Sequence, residues 1–196
     1  MADDRPDADL VAAARAGDES AVATLDARHR LSLARCLTLL TGDADEAESL
    51  AQESLVRAFD RLADFRAELS FFAWLRGIGL NLARNFLRAR TRHARAVGPD
   101  GLADVAAREG RRHGVLSGIL RRELSDQMGR AIQDLPEAYR EAFVLHAVEG
   151  LDYATVATLT GETANNLRVR ALRARRLLRG QLGPVVDTWV RLGPDD

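Results

Sequence analysis

Apolar residues recur at three- and four-residue intervals through almost every patterned stretch of this chain, and no run alternates as a half-buried strand would. That single period confines the fold to helices packed on helices, because a helical apolar stripe must be covered by another apolar face. The stripes occupy residues 8–27, 29–41, 45–63 and 70–92. They dissolve after Arg95 into "AVGPDGLADVAAREGRRHG", rich in glycine and polar residues, and resume near Leu120 as far as about Leu182. The predicted organisation is all-α: a tail over 1–7, a helical domain over 8–94, a flexible linker over 95–119, a second helical domain over 120–182 and a C-terminal tail over 183–196. The 196 residues contain no internal repeat and are enough for two small cores.

The formal net charge is -1, so no overall positive field draws the whole protein to nucleic acid or to an anionic membrane. The charges are segregated instead. Glu46, Glu48, Glu53, Asp43, Asp45 and Asp60 crowd residues 43–60, whereas arginines crowd 84–95 and 168–179. All 28 basic residues are arginine. The acids of "TGDADEAES" fall over the first turn of a helix, where the positive end of the dipole favours them. They fan round that helix with no histidine nearby, so neither a metal nor any other cofactor is expected. The single cysteine, Cys36, sits in the apolar stretch "LSLARCLTLL" and can form no internal disulfide, as befits a reducing compartment. The N-terminus has no signal-peptide pattern and no apolar run approaches the ~20 residues of a membrane span, which together predict a cytoplasmic protein.

The second domain carries "LPEAYREAFVLHAVEGLDYATVATLTGETANNLRVRALRARRLLRG". Pro136 is placed to start a helix and Gly150 to end it; Asp152 caps the next, which Gly161 ends after barely two turns. The short turn "TGET" then leads into a long basic helix, the pattern of a helix-turn-helix. Ala157 and Gly161 are expected at the crossing, where small size allows close approach, with Val156 and Leu167 in contact across it. Leu167, Ala171, Ala174 and Leu178 fall within about 60° of one another and form the predicted buried stripe. Opposite lie Asn165, Asn166, Val169, Leu172, Arg173 and Arg176, flanked by Arg168, Arg170, Arg175 and Arg179. Asparagine can pair with adenine and arginine with guanine, valine or leucine can pack on a thymine methyl, and the flanking arginines can hold phosphates. No acidic residue interrupts Asn165 to Gly180, where a merely solvated helix would carry acids at four-residue spacing.

In the first domain, Leu75, Ile78, Leu82, Phe86 and Ala89 are the expected core stripe of a helix starting near Phe72. Gly77, Asn81, Arg84, Asn85, Arg88 and Arg92 share the neighbouring face, a row of amides and arginines suited to a nucleic-acid track. Just before it, Phe65, Phe71, Phe72 and Trp74 are candidates to stack on unpaired bases, with at least two of the four expected in the core.

The segments "DEAESLAQESLVRAFDRLADFR" and "SFFAWLRGIGLNLARNFLRARTR", followed by the helix-turn-helix, resemble regions two and four of bacterial extracytoplasmic-function sigma factors, in the same order. The resemblance covers all but the linker and the tails. It implies a non-enzymatic subunit that binds core RNA polymerase and promoter DNA, under the control of an anti-sigma factor. By this resemblance Glu46, Ser49, Gln52, Glu53 and Arg57 contact the polymerase clamp. Phe65, Ser70, Phe71, Trp74, Asn81, Arg84, Asn85 and Arg88 capture the opened minus-ten element, with one base flipped from the stack. Asn165, Asn166, Arg168, Val169, Leu172, Arg173 and Arg176 read the minus-thirty-five duplex. The linker runs through the polymerase toward the RNA exit path.

The chain departs from the family pattern at four places. Ser49 replaces a usual acid, Thr163 a usual proline and Val169 a usual serine; the loop "RAELS" also lacks a common glycine. The departures at Thr163 and Val169 imply a shifted promoter preference, whereas Ser49 bears on one clamp contact and the loop on which base is captured. The alternatives are a stand-alone helix-turn-helix regulator, which would leave the acidic helix and the aromatic-amide track without purpose, and a sigma mimic that sequesters an anti-sigma protein. The terminal "VVDTWVRLGPDD" is too short for a sensor domain, although Val185, Val186, Trp189 and Leu192 form a potential apolar dock.

Overall fold

The computed structural model describes residues 4–66, 68–97 and 119–192. Among them every regular element is helical. The chain divides into two compact units, Met1–His93 and Ala94–Asp196. The expected linker falls mainly on 98–118, outside the described residues.

The first unit contains α1 (Asp7–Arg15), α2 (Glu19–Thr41), α3 (Ala44–Asp60), a 3₁₀ turn (Leu62–Asp64) and α4 (Phe71–Val97). The stripe expected over 8–27 is in fact split at Ala16–Asp18, and no break follows near 28. Gly17 adopts φ +91°, and the Asp18 carboxylate accepts the backbone N–H groups of Ser20 and Ala21, so a new helix is capped there. The hydrogen bond from the Ser20 side chain leads the lowering of the Asp18 pKa. Periodicity alone cannot see this break, because the apolar spacing continues through it.

Leu25, Leu33, Leu37, Leu55, Leu75 and Leu80 are fully buried between these helices. Each such leucine contributes about 1.5–3 kcal/mol by leaving water. The core stripe of α4 differs from expectation. Leu75 and Leu82 are buried, Ile78 and Phe86 only half-buried and Ala89 exposed, while Ala73, Arg76, Leu80 and Ala83 are buried instead. The start of α4 is covered on more than one side. A Cβ built on Gly79 would lie 3.1 Å from Leu33 Cδ1, 3.3 Å from Leu37 Cδ2 and 3.4 Å from Ser54 Oγ, so α4 crosses α2 and α3 at this glycine. Gly79→Val is therefore expected to destabilise the first unit by about 1–3 kcal/mol through overpacking, read as a lowered melting temperature. An unchanged melting temperature would show that the crossing can relax.

The second unit contains α5 (Ile119–Gln133), α6 (Glu137–Phe143) running into a π-helical turn (Val144–Val148), α7 (Tyr153–Thr160), α8 (Ala164–Leu182) and α9 (Val185–Leu192). Its core gathers Met128, Ile132, Phe143, Leu145, Val156, Leu167, Ala174 and Leu178. Beyond Gly183 the sequence led us to expect only a short tail, yet α9 forms there. Val186 is completely buried, and Asp187 pairs with Arg179 of α8. The side chains of Trp189 and Leu192, part of the potential dock, lie outside the described residues. No described helix is long and apolar enough to cross a membrane.

Candidate nucleic-acid interface

Asp152 opens α7 by accepting the Thr155 N–H at 2.8 Å, and this backbone hydrogen bond is the main cause holding its carboxyl below the usual range. Gly161 ends α7 at φ +74°. A Cβ there would meet open space, so Gly161 is not at the close approach expected of it, while Ala157 is half-buried. Glycine is needed for the left-handed turn, which other residues adopt only with strain. Thr163 then starts α8 by accepting the Asn166 N–H on Oγ1 at 3.2 Å. The residue that stands where the family pattern has proline is thus a side-chain cap.

Leu167, Ala171, Ala174 and Leu178 are all buried, at 7% exposure or less. Asn165, Asn166, Arg168, Val169, Leu172, Arg173 and Arg176 are all exposed, with Val169 at 39% and Leu172 at 59%. Two exposed aliphatic side chains beside amides and arginines make poor solubilising groups but good partners for base edges.

The arginines of α8 separate into two sets that spacing did not distinguish. Arg170 pairs with Glu162 at 2.9 Å, and Arg175 and Arg179 with Asp187, so three of the four flanking arginines already have acidic partners from neighbouring elements. Arg168 and Arg173 are instead oriented by the chain's two tyrosines. Arg173 Nη1 donates to the Tyr139 hydroxyl at 3.1 Å, and the Arg168 guanidinium lies 5.3 Å from the Tyr153 ring centroid. The Tyr153 ring in turn stacks on His146 at 3.8 Å, and His146 Nδ1 donates to the Leu151 carbonyl at 2.8 Å. The π-helical turn carries His146, a common use of such local irregularities. Arg176 has no intramolecular partner among the described residues. Tyr139 and Tyr153 were missed in the sequence because nothing in the arginine spacing points to them.

In the first unit Ser70 caps α4, its Oγ accepting the Ala73 N–H at 3.1 Å. Asn81, Asn85 and Arg88 are exposed and Arg84 half-exposed along one face of α4, while Gly77, expected on that face, is buried. Arg88 donates to Asn85 Oδ1 at 2.9 Å and to the Arg84 carbonyl at 3.2 Å, tying the row together. The aromatics form one cluster. Phe65 meets Phe71 edge-on at 6.0 Å and Trp74 at 5.2 Å, while His29 lies 5.5 Å from Phe71 and 6.2 Å from Phe72. Phe65 and Phe71 are buried, whereas Phe72 and Trp74 are partly open. Phe65 and Phe71 thus present little ring surface, while Trp74 and Phe72 are partly open, with the Arg76 guanidinium 3.4 Å from the Phe72 ring centroid.

On α3 the polar face is likewise exposed: Ser49, Gln52, Glu53 and Arg57 are open and Glu46 half-open. Glu53 and Arg57 pair with each other at 2.6 Å, a surface interaction of about 0.3–0.5 kcal/mol that a partner can readily exchange. Val56, which the helical spacing already puts on this side, is 53% exposed among these polar residues and supplies an apolar centre. No group of three or more metal-ligating side chains occurs among the described residues.

Comparison with known proteins places both units. Residues 25–93 match the family model of Sigma-70 region 2, and residues 125–178 that of Sigma-70, region 4. The chain is 31% identical to the RNA polymerase sigma-H factor of Pseudomonas aeruginosa, over 92% of this chain and 95% of that protein. It is 30% identical to the ECF RNA polymerase sigma-E factor of Haemophilus influenzae, over 95% of this chain and all of that protein. In fold it is similar to the sigma factor RpoE of Bartonella quintana, solved in complex with the anti-sigma factor NepR, at TM-score 0.64 and 23% identity over 81% of this chain and 94% of that one. The α8 surface and the α4 track thus lie within the two matched regions, and the chain belongs to the sigma-70 family, in the extracytoplasmic-function group.

Proposed function

We propose that this sigma factor binds core RNA polymerase through the α3 face of Glu46, Ser49, Gln52, Glu53 and Arg57, with Val56 at its centre. In this reading α8 enters the major groove of the minus-thirty-five element, where Asn165, Asn166, Val169, Leu172 and Arg173 face bases and Arg168 and Arg176 grip phosphates. Ser70, Trp74, Asn81, Arg84, Asn85 and Arg88 line the path of the opened minus-ten strand, with Phe65 and Phe71 shaping the loop from beneath. Flipping a base costs a few kcal/mol, which such a pocket must offset. The protein initiates transcription and performs no chemistry of its own. It works in the cytoplasm, where polymerase and promoter DNA are found, and an anti-sigma factor holds it inactive.

The observation that carries this reading is the division of α8 into a buried aliphatic stripe and an exposed face mixing amides, aliphatics and tyrosine-oriented arginines. Purified chain should be captured by core polymerase and should direct run-off transcription from promoters that the complex selects. Failure to bind core enzyme would reduce the protein to a stand-alone DNA-binding regulator. Binding without transcript from any promoter would identify a sigma mimic. Binding of a cytosolic anti-sigma fragment should abolish the transcript, in line with the complex reported for the Bartonella quintana relative.

A further inference from the structure

The helix α1 lies before residue 25, where the region 2 match begins, yet both of its ends are tied to the aromatic cluster. At its C-terminal end, Arg15 Nε donates to the Leu62 carbonyl at 2.9 Å, Nη2 donates to the Phe65 carbonyl, and the guanidinium sits 5.8 Å from the Phe65 ring centroid. At its N-terminal end, Asp7 Oδ2 pairs with His29 Nε2 at 2.7 Å while Asp7 Oδ1 takes Arg28 at 2.6 Å. His29 is 6% exposed and its ring packs on Phe71 and Phe72. Burial pulls its pKa below the ordinary 6.5, against the opposing pull of Asp7 and together with Arg76 and Arg28. Between these ends, Leu10 and Val11 are buried and seat the helix.

The consequence is geometric. Phe65 and Phe71 flank the loop assigned above to minus-ten capture, and each is held from α1, Phe65 directly through Arg15 and Phe71 through the Asp7–His29 pair. A planar guanidinium bonded to the carbonyl that starts the 3₁₀ turn and the one just past its end restrains that turn more tightly than apolar packing does, because its donors are fixed in one plane. Phe65 in turn supports Trp74 at 5.2 Å, the ring left partly open.

We propose that Arg15 is a positioning residue for capture of the opened minus-ten strand: it holds Phe65, and through Phe65 the open face of Trp74, in the base-accepting arrangement. Asp7 and His29 perform the same service at the Phe71 side. This inference rests on the minus-ten reading above.

The test uses holoenzyme assembled from core polymerase and the full chain. Its probe is a single-stranded oligonucleotide carrying the non-template minus-ten sequence of a promoter that wild-type holoenzyme selects from a random duplex library. Arg15→Ala should weaken binding of this strand about tenfold, as expected for loss of hydrogen bonds to a charged group. It should also flatten the preference for the captured base, while affinity for core polymerase and for minus-thirty-five duplex stays unchanged. Arg15→Lys, which keeps the charge but cannot reach both carbonyls in one plane, should restore affinity partly and base preference hardly at all. Equal loss of core, duplex and single-strand binding, or an unchanged base preference, would make Arg15 a stabilising residue only and overturn the proposal. If wild-type holoenzyme itself does not bind the strand, the minus-ten reading has failed, a result distinct from wild-type binding that Arg15→Ala leaves intact.

Discussion

Replacing Arg168, Arg173 and Arg176 together by alanine is expected to lower holoenzyme affinity for minus-thirty-five duplex by roughly 10²–10³-fold and to reduce the salt slope of binding by about two. The slope change follows from the phosphate contacts of Arg168 and Arg176, each of which releases about one counterion when it meets the duplex. Within the triple substitution the three side chains have different roles. Arg173 should account for most of the sequence discrimination, because the Tyr139 hydroxyl fixes its guanidinium before DNA arrives. Pre-organisation of this kind lowers the side-chain entropy lost on binding. Arg168, stacked on Tyr153, and Arg176 should affect all sequences nearly alike. The measurement is duplex binding over a salt series with cognate and base-substituted minus-thirty-five elements, alongside core affinity as a control. A variant that keeps wild-type slope and discrimination would remove α8 from the DNA interface. Arg170, Arg175 and Arg179 provide an internal comparison, since Glu162 pairs with the first and Asp187 is shared by the other two, and their replacement should change the slope less.

Replacing Asn81 and Asn85 together by alanine should depress promoter opening by about 10²-fold while leaving core binding and minus-thirty-five recognition intact. Both amides are exposed on the same face of α4, and neither belongs to the core, so folding should survive their loss. Extruding a base costs a few kcal/mol, and removing polar contacts that receive the opened strand leaves that cost uncompensated. Asn85 also accepts from Arg88, so its removal leaves that arginine held by the Arg84 carbonyl. Permanganate reactivity of promoter thymines reads the opened state directly. Wild-type reactivity in the double variant would place the strand elsewhere on the first unit.

The larger features were legible before any coordinates because they are periodic. The buried stripe of α8 appears in the sequence as four residues at helical spacing, and all four are buried. The cap residue Asp152 and the glycine at Gly161 follow local backbone rules, which operate within a turn of chain. What failed was whatever depends on cover. The α4 core was placed one-sided by its spacing, yet Gly79 meets α2 and α3 together and Ala89 is exposed. The Ala157–Gly161 crossing looked like a packing contact, but the glycine was there for its dihedral angle. The break at Gly17–Asp18 escaped because apolar spacing does not register a capped turn that preserves phase.

The sequence by itself determined the helical class, the two units, the family and the exposed face of α8. All of these depend on interactions within a few residues or on motif order, and both are written along the chain. Tertiary structure alone decided which arginines are available and which are paired. Tyr139 lies 34 positions from Arg173, and Arg15 lies 47 and 50 positions from the two carbonyls it holds. Such pairings cannot be read from spacing, because they exist only once separate helices have packed and brought distant donors and acceptors within hydrogen-bonding reach.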